Sequence, residues 1–233
     1  AFSRRLTTYC HYVNILSLNT KELPMSSDSI HVGIYDTWAD WEPGYALAHL
    51  GSGDWQPDGK KYRIVTVGET MDPITTKGGM TLTPDITVEQ LDPSDSAMLI
   101  LPGADTWLEG RYTRFVDAAS RFLEAGVPVA AICGATVGLA NAGLLNDRAH
   151  TSNAAQILES DGYHGHNRYR HDLAVTDGDL ITASGIAPVE FARAIFERLA
   201  FYNPTINDNW YLLYGQHDAA GFFGLMEAAG HAG

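Results

Sequence analysis

Five short apolar runs punctuate the chain from His31 onward: His31 to Tyr35, Tyr62 to Val67, Ala97 to Leu101, Val127 to Ile132 and Leu180 to Ala183. Runs of this length, rich in Val, Ile and Leu, predict strands buried on both faces. Segments with helical spacing lie between them. Trp41 to Leu50 ends at Gly51-Ser52-Gly53, Tyr112 to Ala125 at Gly126, and Ala135 to Ala142 at Gly143, glycine being the usual residue past a helix end. Ala154 to Ser160 also reads as helical, and Pro188 to Phe201 is strongly amphipathic. Met71 to Val88 breaks the rhythm: Pro73, Gly78-Gly79, Thr-rich alternation and Pro84 predict a hairpin excursion. Leu173 to Val175 predicts a further short strand that turns back at Asp177-Gly178. Strands alternating with helices imply an α/β fold with a mostly parallel sheet and helices on both faces. Asn203-Pro204 marks a boundary, so residues 31–203 read as one domain and residues 204–233 as a helical C-terminal extension. That tail is aromatic from Ile206 to Ala229 and should dock on its own domain or on a second subunit.

Composition narrows the function classes. Hydrophobic residues make up 45% and charged residues 18%, a globular balance. A net charge of −13 argues against nucleic acid or an anionic membrane, both of which select a basic face. No apolar stretch approaches the roughly 20 residues that span a bilayer. Two cysteines, Cys10 and Cys133, make no disulfide framework, so reduced thiols and a cytoplasmic setting are expected. Residues 1–30 differ in character, with Arg4, Arg5 and Lys21 and no acid before Glu22. Their apolar stretch, Tyr12 to Leu18, is short and interrupted for a signal peptide, and Met25 resembles a natural start; the segment reads as a non-functional leader.

The chemistry gathers where strands end, because ligands of open α/β sheets bind beyond the carboxyl ends of the strands. Val127 to Ile132 runs straight into Cys133-Gly134-Ala135. A small residue after the cysteine permits the sharp turn of a nucleophile elbow, and a helix N-terminus there favours thiolate. The alternative is a cysteine packed as a small hydrophobe. Ala97 to Leu101 ends in Pro102-Gly103-Ala104, from which the Ala104 N–H could join that of Gly134 to hold an oxyanion; an ordinary turn is the other reading. The first strand is followed by Asp36-Thr37-Trp38-Ala39-Asp40-Trp41-Glu42, so either carboxyl, Asp40 or Glu42, can serve the thiol as acid or base, or simply complement the helix dipole. His164, His166 and His171 sit in a polar loop without metal-ligand spacing. Neither a P-loop nor GxGxxG follows the first strand, so no nucleotide, metal or other cofactor is implied.

The Ala-Ile-Cys-Gly elbow, the Leu-Pro-Gly-Ala turn, Asp40-Trp41-Glu42 and Leu180-Ile-Thr-Ala-Ser-Gly-Ile-Ala-Pro-Val-Glu-Phe-Ala192 resemble the ThiJ/PfpI superfamily from His31 to Ala200. Val67 to Thr83 and His150-Thr-Ser-Asn153 resemble its bacterial PfpI-like members. The resemblance implies a flavodoxin-like three-layer sandwich of the class I glutamine amidotransferase-like group. It implies Cys133 as nucleophile, Glu42 as its acidic partner with Asp40 second, and the amides of Ala104 and Gly134 as oxyanion hole, with Gly103 beside them. Protease-like members carry His directly after the cysteine, where this chain has Gly134. Others supply His from the next strand, where the alignment gives Ser152; His150 points the same way in an extended strand and is the substitute candidate. The late His-x-Glu of true amidotransferases is missing. A small-molecule hydrolase, hydratase or glyoxalase-like enzyme is therefore expected, against a cysteine-based stress sensor or a silent binding module. Relatives commonly form homodimers.

Overall fold

The computed structural model describes residues 28–230. The expected leader, Cys10 included, lies outside the described residues except at its end, where Ser29 and Ile30 already belong to the first strand. The strands are β1 Ser29–Gly33, β2 Arg63–Gly68, β3 Ile74–Thr75, β4 Thr81–Leu82, β5 Ile86–Thr87, β6 Met98–Leu101, β7 Val129–Ile132, β8 Ala174–Asp177 and β9 Leu180–Ala183. Seven form one sheet in the order β5-β2-β1-β6-β7-β9-β8, parallel throughout except for β8, which runs antiparallel to β9. The central strands are buried as their apolar runs demand: Ile30, Val32, Met98 to Leu101 and Val129 to Ile132 expose no surface. Helices α1 Gly44–Ser52 and α4 Pro188–Arg198 cover one face; α2 Thr113–Glu124 and α3 Gly134–Asn141 cover the other. The amphipathic spacing of α2 sets Phe115, Val116, Ala119 and Phe122 into the core. The flavodoxin-like three-layer arrangement follows.

Four sequence expectations shift. Helix α1 begins at Gly44 rather than Trp41, because Pro43 disfavours helical geometry in the residue before it. Glu42 is thereby left on a turn, free of the helix. Ala154 to Ser160 forms only a 3-10 turn at Ala155–Leu158, with the buried Leu158 as its anchor. The excursion at 71–88 contains the hairpin β3–β4 and also β5, an edge strand paired with β2 through Val67 and Ile86. The tail is two helices, α5 Pro204–Tyr214 and α6 Ala220–Ala228, rather than one run.

Of the two placements open to the tail, the structure has it on its own domain, with α5 against α4 and α6 against α5. Its seat is His49 of α1. The Trp210 indole N–H donates to His49 Nε2 at 3.0 Å, and Tyr202 Oη lies 3.2 Å from Nδ1. Tyr202 gives its own hydrogen to the Asp54 carbonyl at 2.7 Å, so Nδ1 carries the proton and donates to Tyr202. Neutral His49 satisfies both neighbours; a second proton would face the indole N–H, which can only donate. Burial pushes the His49 pKa down, and the Asp54 charge opposes this only in part. Below the ordinary value of 6.5 the unfolded chain binds a proton that the folded one resists, so stability falls as pH drops. The melting temperature should decline less steeply below pH 6.5 in His49→Gln, which keeps an acceptor and does not titrate. Melting curves across that range, with Trp210 fluorescence as the local reporter, check this.

Candidate active site

The chain leaves β1 toward β2 on one side and returns to β6 on the other, which makes the β1–β6 crevice the topological switch point of the sheet. Loops from four strand ends meet there: Glu42 follows β1, Gly103 and Ala104 follow β6, Cys133 follows β7, and Ser184-Gly185 follows β9.

Cys133 joins β7 to α3 at φ 59° and ψ −127°, a backbone conformation L-residues rarely adopt. The surrounding bonds over-determine it. Its N–H donates to the Ala183 carbonyl at 3.0 Å, and its carbonyl accepts from Thr136 Oγ1 at 2.6 Å. The elbow read from the sequence is thus present, and it leaves the thiol partly exposed. Gly134 follows because Trp107 lies against α3. A Cβ at 134 would stand 3.0 Å from Trp107 Cβ, and one at Gly138 2.4 Å from the indole ring. Trp107 in turn donates from Nε1 to the Pro102 carbonyl at 3.1 Å, and Tyr35 Oη donates to the same oxygen. Two buried aromatics thereby fix the turn that carries Gly103 and Ala104. Ala104 and Gly134 are neighbours, since the Ala104 carbonyl lies 3.1 Å from where a Gly134 Cβ would be.

Glu42 is fully buried. Its Oε2 accepts the Gly103 N–H at 2.5 Å, while its Oε1, buried and without a hydrogen-bond partner, faces the space beside Gly185 that the Cys133 sulfur shares. Glycines at 103 and 185 make this approach possible: a Cβ at 103 would come within 2.9 Å of Cys133 Cβ and 2.8 Å of Glu42 Oε2. Burial pushes the Glu42 carboxyl up to about 7, against the pull of the Gly103 N–H, the thiol and the Lys77 charge. Burial and the Glu42 charge push the Cys133 thiol up to about 11, although Asn153 and Gly134 donate to its sulfur. The expectation of a thiolate in the resting protein is therefore corrected. The elbow supplies donors, but desolvation and the neighbouring carboxylate outweigh them, and the sulfur holds its proton near neutral pH.

The histidine expectation is corrected as well. His150 is buried with Nδ1 2.7 Å from the Arg148 carbonyl and Nε2 2.8 Å from Tyr163 Oη. Both ring nitrogens are occupied in holding the 148–163 loop. Ser152 Oγ lies 2.7 Å from Thr136 Oγ1, so it supports the first turn of α3 and does not touch the sulfur. Asp40 accepts the Gly78 N–H at 2.7 Å; hydrogen bonds from Thr76 and Gly78 outweigh burial and hold its carboxyl below the usual range. It ties down the β3–β4 hairpin. The residue that does meet the sulfur is Asn153, whose Nδ2 donates to Sγ at 3.1 Å. Its orientation is set by the Gly185 N–H, which donates to Oδ1 at 2.7 Å. His166 pairs with Glu159 at the surface, and among the described residues no group of three or more His, Cys, Asp or Glu is arranged to hold a metal. No helix among them is long and apolar enough to cross a membrane.

Sheet, elbow and buried carboxyl place the chain among α/β proteins organised around a cysteine at the switch point. It belongs to the DJ-1/PfpI family, whose profile matches residues 28–198. A Bacillus subtilis (strain 168) protein named "Uncharacterized protease YoaZ" is 38% identical over 205 residues, covering 87% of this chain and 98% of that one. Among solved structures, a thiJ/pfpI family protein from Bacillus anthracis is 37% identical with a TM-score of 0.82, covering 88% and 98% of the two chains. The DJ-1 superfamily protein Atu0886 from Agrobacterium tumefaciens is 33% identical with a TM-score of 0.71, covering 82% and 99%.

Proposed function

We propose that Cys133 attacks small electrophilic carbonyl or acyl compounds and that Glu42 takes its proton. The observation that carries this reading is a buried carboxyl, with its pKa near 7, in reach of a thiol held on a strained elbow. Such a carboxylate is matched to proton transfer at neutral pH. As the S–C bond forms, the thiol proton passes to Glu42 and the carbonyl oxygen becomes an oxyanion, held by the Gly134 and Ala104 N–H groups. With an aldehyde, Glu42 returns the proton to that oxygen and a hemithioacetal results. With an activated ester, Glu42 protonates the leaving group and water then hydrolyses the acyl-cysteine. Asn153 can only donate through Nδ2, so it orients the sulfur while Glu42 alone moves protons. The relatives' names speak of proteases; a site without a histidine on the sulfur suits better leaving groups than a peptide amine.

Turnover of a panel of aldehydes, activated esters, amides and glutamine tests the proposal. For the accepted substrate, kcat/KM should rise about tenfold per pH unit below 7 and level off above it, following Glu42. Cys133→Ser should lose at least roughly 10³-fold. Wild-type turnover by that variant would end the proposal.

A second reading follows from the donors around Sγ. Asn153 and Gly134 would equally hold an oxygen transferred from a peroxide to the sulfur, making Cys133 an oxidation sensor. Mass gain at Cys133 under peroxide, with no turnover on the panel, favours it.

A further inference from the structure

We infer that the crevice selects substrates bearing a carboxylate next to the electrophilic carbon, and that Lys77 receives it; this rests on Cys133 being the reacting group. Lys77 stands at the turn of the β3–β4 hairpin, and that turn is tied to the loop carrying Glu42. The Lys77 N–H donates to the Trp38 carbonyl at 2.9 Å, and the next amide, Gly78, donates to the Asp40 carboxylate at 2.7 Å. On its other side the Lys77 ammonium meets Asp105 at 2.5 Å, one residue beyond Ala104. Asp105 is itself held by its N–H on Thr37 Oγ1 at 3.0 Å. The ammonium therefore hangs between the loop of the carboxyl and the loop of the oxyanion amides, and its charge is felt at both Glu42 and Cys133.

Asp105 does not close the position. Both partners of the pair are exposed, 45% for Lys77 and 60% for Asp105, and such surface pairs hold weakly. A substrate carboxylate can displace Asp105 from the ammonium without leaving a charge buried and unpaired. Beside Gly185 the surface is apolar: Trp41 is 49% exposed and donates its indole N–H to the Gly185 carbonyl at 3.0 Å, and the next residue, Ile186, is 83% exposed. The occupant that fits is a short oxo acid or acyl acid with its anionic end at Lys77 and an apolar group against Trp41.

Iodoacetate and iodoacetamide test this without knowledge of the substrate, because they differ only in carboxylate against amide. The ratio of their rates with Cys133 should exceed that of a free thiol in the wild type and in Lys77→Arg. It should fall roughly two- to fivefold in Lys77→Met and at high salt, the effect of one nearby exposed charge. Asp105→Asn should raise it. Equal ratios in all four proteins overturn the inference while leaving the nucleophile intact. If Cys133 resists both reagents, the proposed function itself fails. Calorimetry with oxamate against oxamide then decides the anion site: oxamate binding lost in Lys77→Met alone supports it, and equal binding or none in all four proteins overturns it.

Discussion

Glu42→Gln should yield a protein that is more stable above pH 7 yet nearly inert. The folded carboxyl titrates at about 7 against 4.5 when unperturbed, so between those values the folded state binds more protons. Stability accordingly falls as pH rises through that window and stays reduced above it, because an ionised carboxylate is then held away from water. Removing the titration restores about 2–3 kcal/mol at pH 8, roughly 4–10 °C in melting temperature for a chain of this size. Glutamine still offers an oxygen to the Gly103 N–H, so the turn keeps its anchor. Turnover should drop about 10²- to 10⁴-fold, the usual contribution of a positioned base. The remaining rate should climb with pH well past 7, tracking the thiol instead of the carboxyl. Melting curves at pH 5 and pH 8 together with a pH–rate profile read both halves. A variant that is less stable at pH 8, or one that keeps the plateau above 7, contradicts the assignment.

Gly185→Ala is the second large effect. The added Cβ would stand 2.8 Å from Cys133 Sγ, closer than real Cβ atoms approach, and 3.1 Å from Glu42 Oε1, a tight contact. Relief requires movement of the sulfur or the loop, and the loop is held by Asn153 through the Gly185 N–H and by Trp41 through its carbonyl. Displacement by about 1 Å is enough to lower rates about 10²-fold. The strain should destabilise the fold by about 1–3 kcal/mol, leaving it folded at room temperature. Cys133 alkylation by iodoacetamide measures the first effect and thermal melting the second. Reactivity within twofold of wild type would mean the loop yields freely.

These results bear on what a sequence can carry. The sheet was legible because its strands are short apolar runs closed by Gly or Pro, and the elbow because Cys133-Gly134 is local. Spacing from β1 left Asp40 and Glu42 open, and only the family resemblance singled out Glu42. Asn153 was not legible, although it directly follows Ser152. The expectation assumed strand parity, under which 150 and 152 face one way, but this stretch pairs only as an isolated bridge between His150 and Tyr169. The backbone bends there, and the side chain one place later reaches the sulfur. Gly185 and Lys77 arrive from loops some 50 residues away on either side of Cys133, a meeting visible only once the strands are ordered. The protonated thiol was missed for a different reason. Local sequence announces the donors of a helix N-terminus, whereas burial and the carboxylate beside the sulfur belong to the assembled crevice.

The indole that lies on α3 also restricts how this site could evolve. A histidine beside the cysteine needs room at position 134, and Trp107 occupies it. A single codon change there would collide with a fully buried ring, so the route to a cysteine–histidine pair passes first through a smaller residue at 107. That intermediate would lose one of the two hydrogen bonds to the Pro102 carbonyl, leaving Tyr35 alone to hold the turn of Gly103 and Ala104. The packing of Trp107 on α3 thus keeps position 134 to a residue without a side chain, whatever chemistry the neighbouring cysteine performs.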